Sequence, residues 1–210
     1  MGIAERKERE KQKRRQDIID AAEKVFFSKG LDLSTMDDVA KAAELSKGTL
    51  YLYFKSKEDL YLAINARGTK ILESMFLKAV KTPKTGIEKI KAIGEAYFEY
   101  YQKYPDYFNA HIYYESREID LDDETSMAAE CELHGQRALD VVSNALKDGI
   151  ADGTIRSDVD PYKTSVLLWA HSTGLIQIIS MKGKHMEKEH NTDINELIEY
   201  SFDFIMHALS

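Results

Sequence analysis

The sequence predicts an all-α fold: a small three-helix domain over residues 1–60, followed by a larger helical domain over residues 61–210. Three observations carry that expectation. Apolar residues recur at i, i+3, i+4 and i+7 along most of the chain, the spacing that lines one face of a helix. No run alternates polar and apolar residues as a half-buried strand does. The prolines at 83, 105 and 161 all fall between helical runs, where a residue without an N–H does least harm.

The first helix carries the stripe Ile18, Ala22, Val25 and Phe26 and stops at Gly30. Ahead of it, Met1 to Arg15 holds seven basic residues, Arg6, Lys7, Arg9, Lys11, Lys13, Arg14 and Arg15, against Glu5, Glu8 and Glu10. Glu5 to Arg9 and Glu10 to Arg14 are i, i+4 pairs worth about 0.2 to 0.5 kcal/mol each, which reads as a solvated extension of the helix. The same stretch also suits a basic arm lying along a phosphate backbone or in a minor groove.

The segment STMDDVAKAAELSKGTLYLYFKSK, Ser34 to Lys57, organises the rest. Met36, Val39, Ala40 and Ala43 stripe a short helix, with Thr35 as N-cap and Asp38 completing a capping box. Ser46 caps a second helix, expected from Lys47 to Phe54, with Leu50 and Phe54 facing inward and Lys47, Gly48, Thr49, Tyr51 and Tyr53 on the free face. Two short helices joined by a turn of about four residues form a helix-turn-helix, the geometry that enters the major groove of double-stranded DNA. Gly48 lets backbone approach closely, while Ser46, Thr49 and the tyrosine hydroxyls suit phosphates or base edges. A third cap at Ser56, with Asp59 three residues on, starts the next helix and places Lys57 within reach of a phosphate.

From Glu58 to Val80 the helical pattern is unbroken, a stiff lever leaving the small domain. Further helices are expected near 85–103, 106–117, 124–152, 161–181 and 193–208, with Gly153 as C-cap of the third of these and Asp160–Pro161 as a cap and first-turn pair. Between Tyr97 and Tyr114 nine aromatic rings, Tyr97, Phe98, Tyr100, Tyr101, Tyr104, Tyr107, Phe108, Tyr113 and Tyr114, crowd two helices. Tyrosine hydroxyls need partners, so a cavity lined by rings with polar tips is an alternative to solid packing, and Trp169, His171 and Gln177 are placed to close it. The last two helices are apolar over more than one face, which suits packing on the chain with one face and on a second copy with another.

A net charge of −7 and a pI near 5.4 do not by themselves suggest nucleic acid. The charge is uneven: residues 1–60 carry 13 basic and 12 acidic side chains and the remainder 16 and 24, so the balance is +1 in front and −8 behind. The single cysteine, Cys131, excludes an internal disulfide framework and fits a reducing compartment. The charged N-terminus has no signal-peptide pattern, and Val166 to Ile179 is too short and too interrupted to span a bilayer, so a cytoplasmic protein is expected. Cys131 and His134 stand i, i+3, but two ligands do not make a metal site, and no metal or cofactor is expected.

Gly30, Thr35 and the run LSKGTLYLYFKSKEDL, Leu45 to Leu60, resemble the N-terminal domain of the tetracycline-repressor (TetR) family of transcriptional regulators, over roughly residues 15–62. The resemblance implies that Thr35, Ser46, Lys47, Gly48, Thr49, Tyr51, Tyr53 and Lys57 contact DNA, with Tyr51 and Lys57 as phosphate anchors and Lys47 and Thr49 reading bases. It implies a homodimer joined through the last two helices on a palindromic operator. It also places a small-molecule effector in the tyrosine-rich region without identifying it; the rings themselves favour something apolar, aromatic or acyl-like, lined by Tyr97, Tyr101, Tyr104, Phe108, His111, Trp169 and Gln177.

The expected function is therefore a ligand-responsive dimeric repressor. The rival from another class is a small all-α enzyme or carrier using the tyrosine-lined cavity. No glycine-rich phosphate loop, nucleophile motif or metal-ligand spacing supports it. A third reading keeps DNA binding without an effector.

Overall fold

A computed structural model describes residues 2–116 and 127–210. Among them the chain forms α-helices and no strands: α1 (Ile3–Lys29), α2 (Met36–Ala42), α3 (Lys47–Tyr51), α4 (Lys57–Ala79), α5 (Gly86–Lys103), α6 (Pro105–Glu115), α7 (Met127–Asp152), α8 (Pro161–His190) and α9 (Ile194–Leu209). No described helix is long and apolar enough to cross a membrane. The expected start of α7 before Met127 and the expected end of α6 at 117 lie outside the described residues.

The helices group into two compact units, one of residues 1–69 and 106–132, the other of residues 70–105 and 133–210. In the first, Ile18, Ala22, Val25 and Phe26 of α1, Val39 of α2 and Leu50 and Phe54 around α3 form the expected core, all of them buried. Leu60, Ala63 and Ile64 of α4 and Ala110 of α6 complete it, with the rings of Tyr107 and Tyr113 packed against its edge. Phe27 meets Tyr107 edge to face at 5.5 Å and Tyr61 meets Tyr113 at 5.0 Å, the perpendicular arrangement ring quadrupoles favour.

The local signals act as their chemistry requires. Thr35 Oγ1 accepts from the Asp38 amide at 3.2 Å while Asp38 Oδ2 accepts from the Thr35 amide at 3.0 Å, a closed capping box. Lys29 and Thr35 hold the Asp38 carboxyl down to about 2, so it is charged wherever the box is needed. Glu44 takes a left-handed backbone, φ 55°, which ends α2. Ser46 caps α3, and Ser56 Oγ accepts from the Asp59 amide at 3.0 Å to open α4.

Two expected boundaries move. The α3 helix stops at Tyr51 rather than Phe54, because Tyr53 and Phe54 both direct their N–H groups to the Leu50 carbonyl and tighten into a turn. The α8 helix runs on from 181 through Gly183, where an added Cβ would meet Ile194 and Ile179 at ordinary van der Waals distance, and ends only at left-handed Asn191. Asp160 and Pro161 open α8 as expected, and Gly153, φ 78°, follows α7.

In the second unit, α5 and α7 approach at their glycines. A Cβ on Gly86 would stand 2.0 Å from the Gly149 nitrogen, so no larger residue fits. The Gly86 amide donates to Asp152 Oδ2 at 2.7 Å and Lys89 Nζ pairs with Asp148 Oδ2 at 2.6 Å, pinning that junction. Phe98 of α5 stacks edge to face on Phe202 of α9, and Ile176 of α8 is fully buried.

Candidate nucleic-acid interface

The α2–turn–α3 segment is held from behind by Val39, Leu50 and Phe54, which leaves its opposite side to solvent. Gly48 lies there with only Ser46 Oγ, at 4.0 Å, near the position of a Cβ. Neither internal packing nor backbone conformation demands glycine at this position.

The other expected DNA contacts differ in how they are held. Tyr51 is 44% exposed with its ring outward. Tyr53 is half-buried against the core. Lys47 Nζ pairs with Asp37 Oδ1 at 2.8 Å, and the Ser46 and Thr49 hydroxyls hydrogen-bond each other at 2.8 Å. Thr35 is engaged in its capping box. Lys57 Nζ donates to the Leu31 carbonyl at 3.1 Å, which fixes the ammonium beside the helix start while two of its three hydrogens stay available.

The basic extension is helical from Ile3, and its side chains are exposed through Arg14. Arg15 departs from it. Its guanidinium lies 5.3 Å from the Phe54 ring centre, touches Met127 Sδ and stands 3.8 Å from Glu130, so it belongs to the packing of the unit.

Residues expected to line an effector site fall in both units. In the first unit Phe108 is buried, and burial pushes the His111 imidazole down to about 4, leaving it neutral at physiological pH. Nearby Glu115 is pushed up by burial and by Glu132. In the second unit Tyr97 is buried and its hydroxyl hydrogen-bonds Thr173 Oγ1 at 2.8 Å. Trp169 and Gln177 stand one turn to either side of Thr173 on α8, and Trp169 is 38% exposed. Tyr104 packs on Tyr100 at 5.8 Å, and Tyr101 is half-buried.

Sequence reasoning missed two features. A polar network ties α1, α4 and α6 within the first unit: Arg67 Nη1 meets Asp20 at 2.8 Å and Glu23 at 2.9 Å, its Nη2 donates to Gln16 at 2.8 Å, and the Tyr107 hydroxyl donates to Glu23 at 2.7 Å. Leu52 also escaped notice, being 82% exposed immediately after α3. Cys131 donates its thiol to the Leu62 carbonyl at 3.3 Å, and burial pushes that thiol up to about 12, an unreactive environment. In the second unit His134 Nδ1 meets Glu73 Oε2 at 2.5 Å. Among the described residues no three potential metal ligands cluster.

Residues 18–64, from the middle of α1 into α4, match the family described as bacterial regulatory proteins, tetR family. The chain is 30% identical over 153 residues to the uncharacterized transcriptional regulator YhgD of Bacillus subtilis, covering 72% of this chain and 76% of that one. It is 36% identical over 87 residues to the transcriptional activator FasR of Mycolicibacterium smegmatis; that match spans 41% of this chain and only 40% of the relative. Among solved structures, the transcriptional regulator FadR of Bacillus subtilis, in complex with stearoyl-CoA, superposes with a TM-score of 0.70 over 93% of this chain and 99% of that one, at 20% identity, a likeness of fold.

Proposed function

Because the chain belongs to the tetR family of bacterial regulatory proteins, we propose that it is a repressor that binds a palindromic operator as a homodimer and leaves it when a small-molecule effector binds. Family membership by itself makes the protein a DNA-binding transcriptional regulator and not an enzyme. The observation that carries the finer reading is the outward side of α3, where Gly48 keeps its surroundings open and Tyr51 is exposed. Residues 1–60 carry the DNA contacts in this reading, with Thr35, Ser46, Lys47, Gly48, Thr49, Tyr51, Tyr53 and Lys57 at or beside the interface. Residues 61–210 carry effector binding and dimerisation. The site of action is the cytoplasm.

The α8 and α9 helices support the dimer. On α8, Leu167, Ile178 and Met181 share one side and are 67%, 51% and 81% exposed, and on α9 Tyr200 and Phe204 are 70% and 62% exposed. Gly174, on the same side of α8 with open space around it, permits close helix approach. Burying such a surface against a second copy removes apolar area from water at about 25 cal/mol per Å².

The effector is an apolar, acyl-like molecule bound by residues 61–210, with Tyr97, Tyr101, Tyr104, Phe108, His111, Trp169 and Gln177 as the residues to probe. Long-chain acyl thioesters are the first class to try, given the stearoyl-CoA held by the structurally similar FadR. The Tyr107–Glu23–Arg67 network supplies the grip of α6 on α1, and continuous α4 supplies a stiff link from the same unit. An effector regulates only if it binds the two operator-spacing states unequally, and a difference of about 1 to 3 kcal/mol gives roughly 5- to 150-fold regulation.

Titration of the protein–operator complex with acyl thioesters of increasing chain length tests this reading. Release of DNA by one of them, weakened in a Tyr107→Phe variant that still binds operator, is the expected result. Acyl thioesters that bind the protein without changing operator affinity would contradict it.

A further inference from the structure

We propose that Leu52 reads the methyl group of a thymine in each half-site of the operator, an assignment that rests on the DNA-binding reading of α2 and α3. Leu50 is fully buried and fixes the inward direction of α3. Leu52 continues the helical backbone at φ −72°, ψ −20°. At about 100° per residue, Gly48 and Leu52 each lie roughly 200° from Leu50, on the side facing away from the core. Side chains of a helix lean toward its N-terminus, so Leu52 leans over the turn that contains Gly48. With no side chain at Gly48, the two positions leave one exposed apolar patch toward the C-terminal end of the outward side of α3.

Polar groups around that patch pair with one another at the surface. Lys47 is held by Asp37, and the Ser46 and Thr49 hydroxyls are held by each other. Leu52 is 82% exposed and contributes little packing within the unit. Of the groups that base pairs present in the major groove, the thymine methyl is the apolar one, and it is the natural partner for this side chain. The nearby glycine allows backbone and base edge to close the few ångströms that a single methyl contact requires.

The test replaces thymine by deoxyuridine, which removes the methyl and leaves base pairing intact. Operators enriched from a random duplex pool are prepared with each thymine, on either strand, substituted in turn, and affinities of the full-length protein are measured at fixed salt. The expected result is a drop of about fourfold per half-site at one thymine, the worth of one buried carbon. The same substitution should be without effect on a Leu52→Ala variant, whose affinity for the unsubstituted operator falls by that factor in each of the two half-sites, roughly sixteenfold for the dimer. Equal affinity of the wild type for every deoxyuridine operator, or a penalty that persists undiminished in Leu52→Ala, would overturn the assignment while leaving operator binding intact. Failure of the pool to enrich any sequence would instead overturn the DNA-binding reading, and this assignment with it.

Discussion

Single residues in the first unit show how burial sets chemistry. His111 keeps 12% of its side chain accessible, yet its surroundings push its pKa from 6.5 down to about 4. Between those values the unfolded chain takes up a proton that the folded unit refuses, so stability rises with pH through the window and is level above it. The shift corresponds to roughly 3 kcal/mol, of which about 2 is lost between neutral pH and about pH 5. Glu115, pushed up by burial, acts in the opposite direction at lower pH. Urea unfolding at about pH 7.5 and about pH 5 checks this. Wild type should lose roughly 2 kcal/mol more than a His111→Gln variant, and equal losses would show that the imidazole is not held neutral by the fold.

Elements were legible from the sequence wherever a cap and a stripe agreed. Thr35, Ser46, Asp160 and Gly153 each marked a helix end by a hydrogen bond or a backbone angle that depends on local chemistry alone. The early end of α3 and the extension of α8 were not legible: the first is set by competition for one carbonyl, and the second carries the helix past Gly183, where local propensity favours a stop. Likewise the outward side of α2 and α3 could be placed from the spacing, but the pairing of its residues could not: nothing in the spacing said that Lys47 would meet Asp37 or that Lys57 would meet the Leu31 carbonyl.

The basic start of α1 is the element whose contribution to DNA binding is easiest to isolate. It is helical and exposed through Arg14, while Arg15 is committed to Phe54. Deleting residues 2–13 removes Arg6, Lys7, Arg9, Lys11 and Lys13 without touching the core stripe that begins at Ile18. Operator affinity should fall and the slope of log K against log salt should flatten by about 0.9 for each phosphate that the shortened protein no longer neutralises. An unchanged slope would mean that the arm only extends the helix.

At the scale of the whole molecule, chain order is a poor guide to packing. The α6 helix joins the N-terminal helices in one compact unit, with Ala110 in their core and Tyr107 bonded to Glu23 of α1. Local periodicity carries no signal for such a long-range pairing, although the excess of tyrosine marked the region. The exposed side of α8 and α9 was legible, because their apolar residues exceed what one buried face can use. A Phe204→Glu change places a charge on that side at a residue 62% exposed in the single chain, so folding should be preserved. Sedimentation should then show a shift toward single chains and operator affinity should collapse, whereas an unchanged mass would exclude this side as the dimer interface.

The central claim is that the outward face of α3 reads a specific, two-fold symmetric DNA sequence. Selection from a random duplex pool with the purified full-length protein, at one near-physiological salt concentration, tests it most directly. Enrichment of a palindrome whose half-sites lie about one helical turn, or a multiple of it, apart is the predicted result. Binding that retains no sequence preference at that salt would contradict the account.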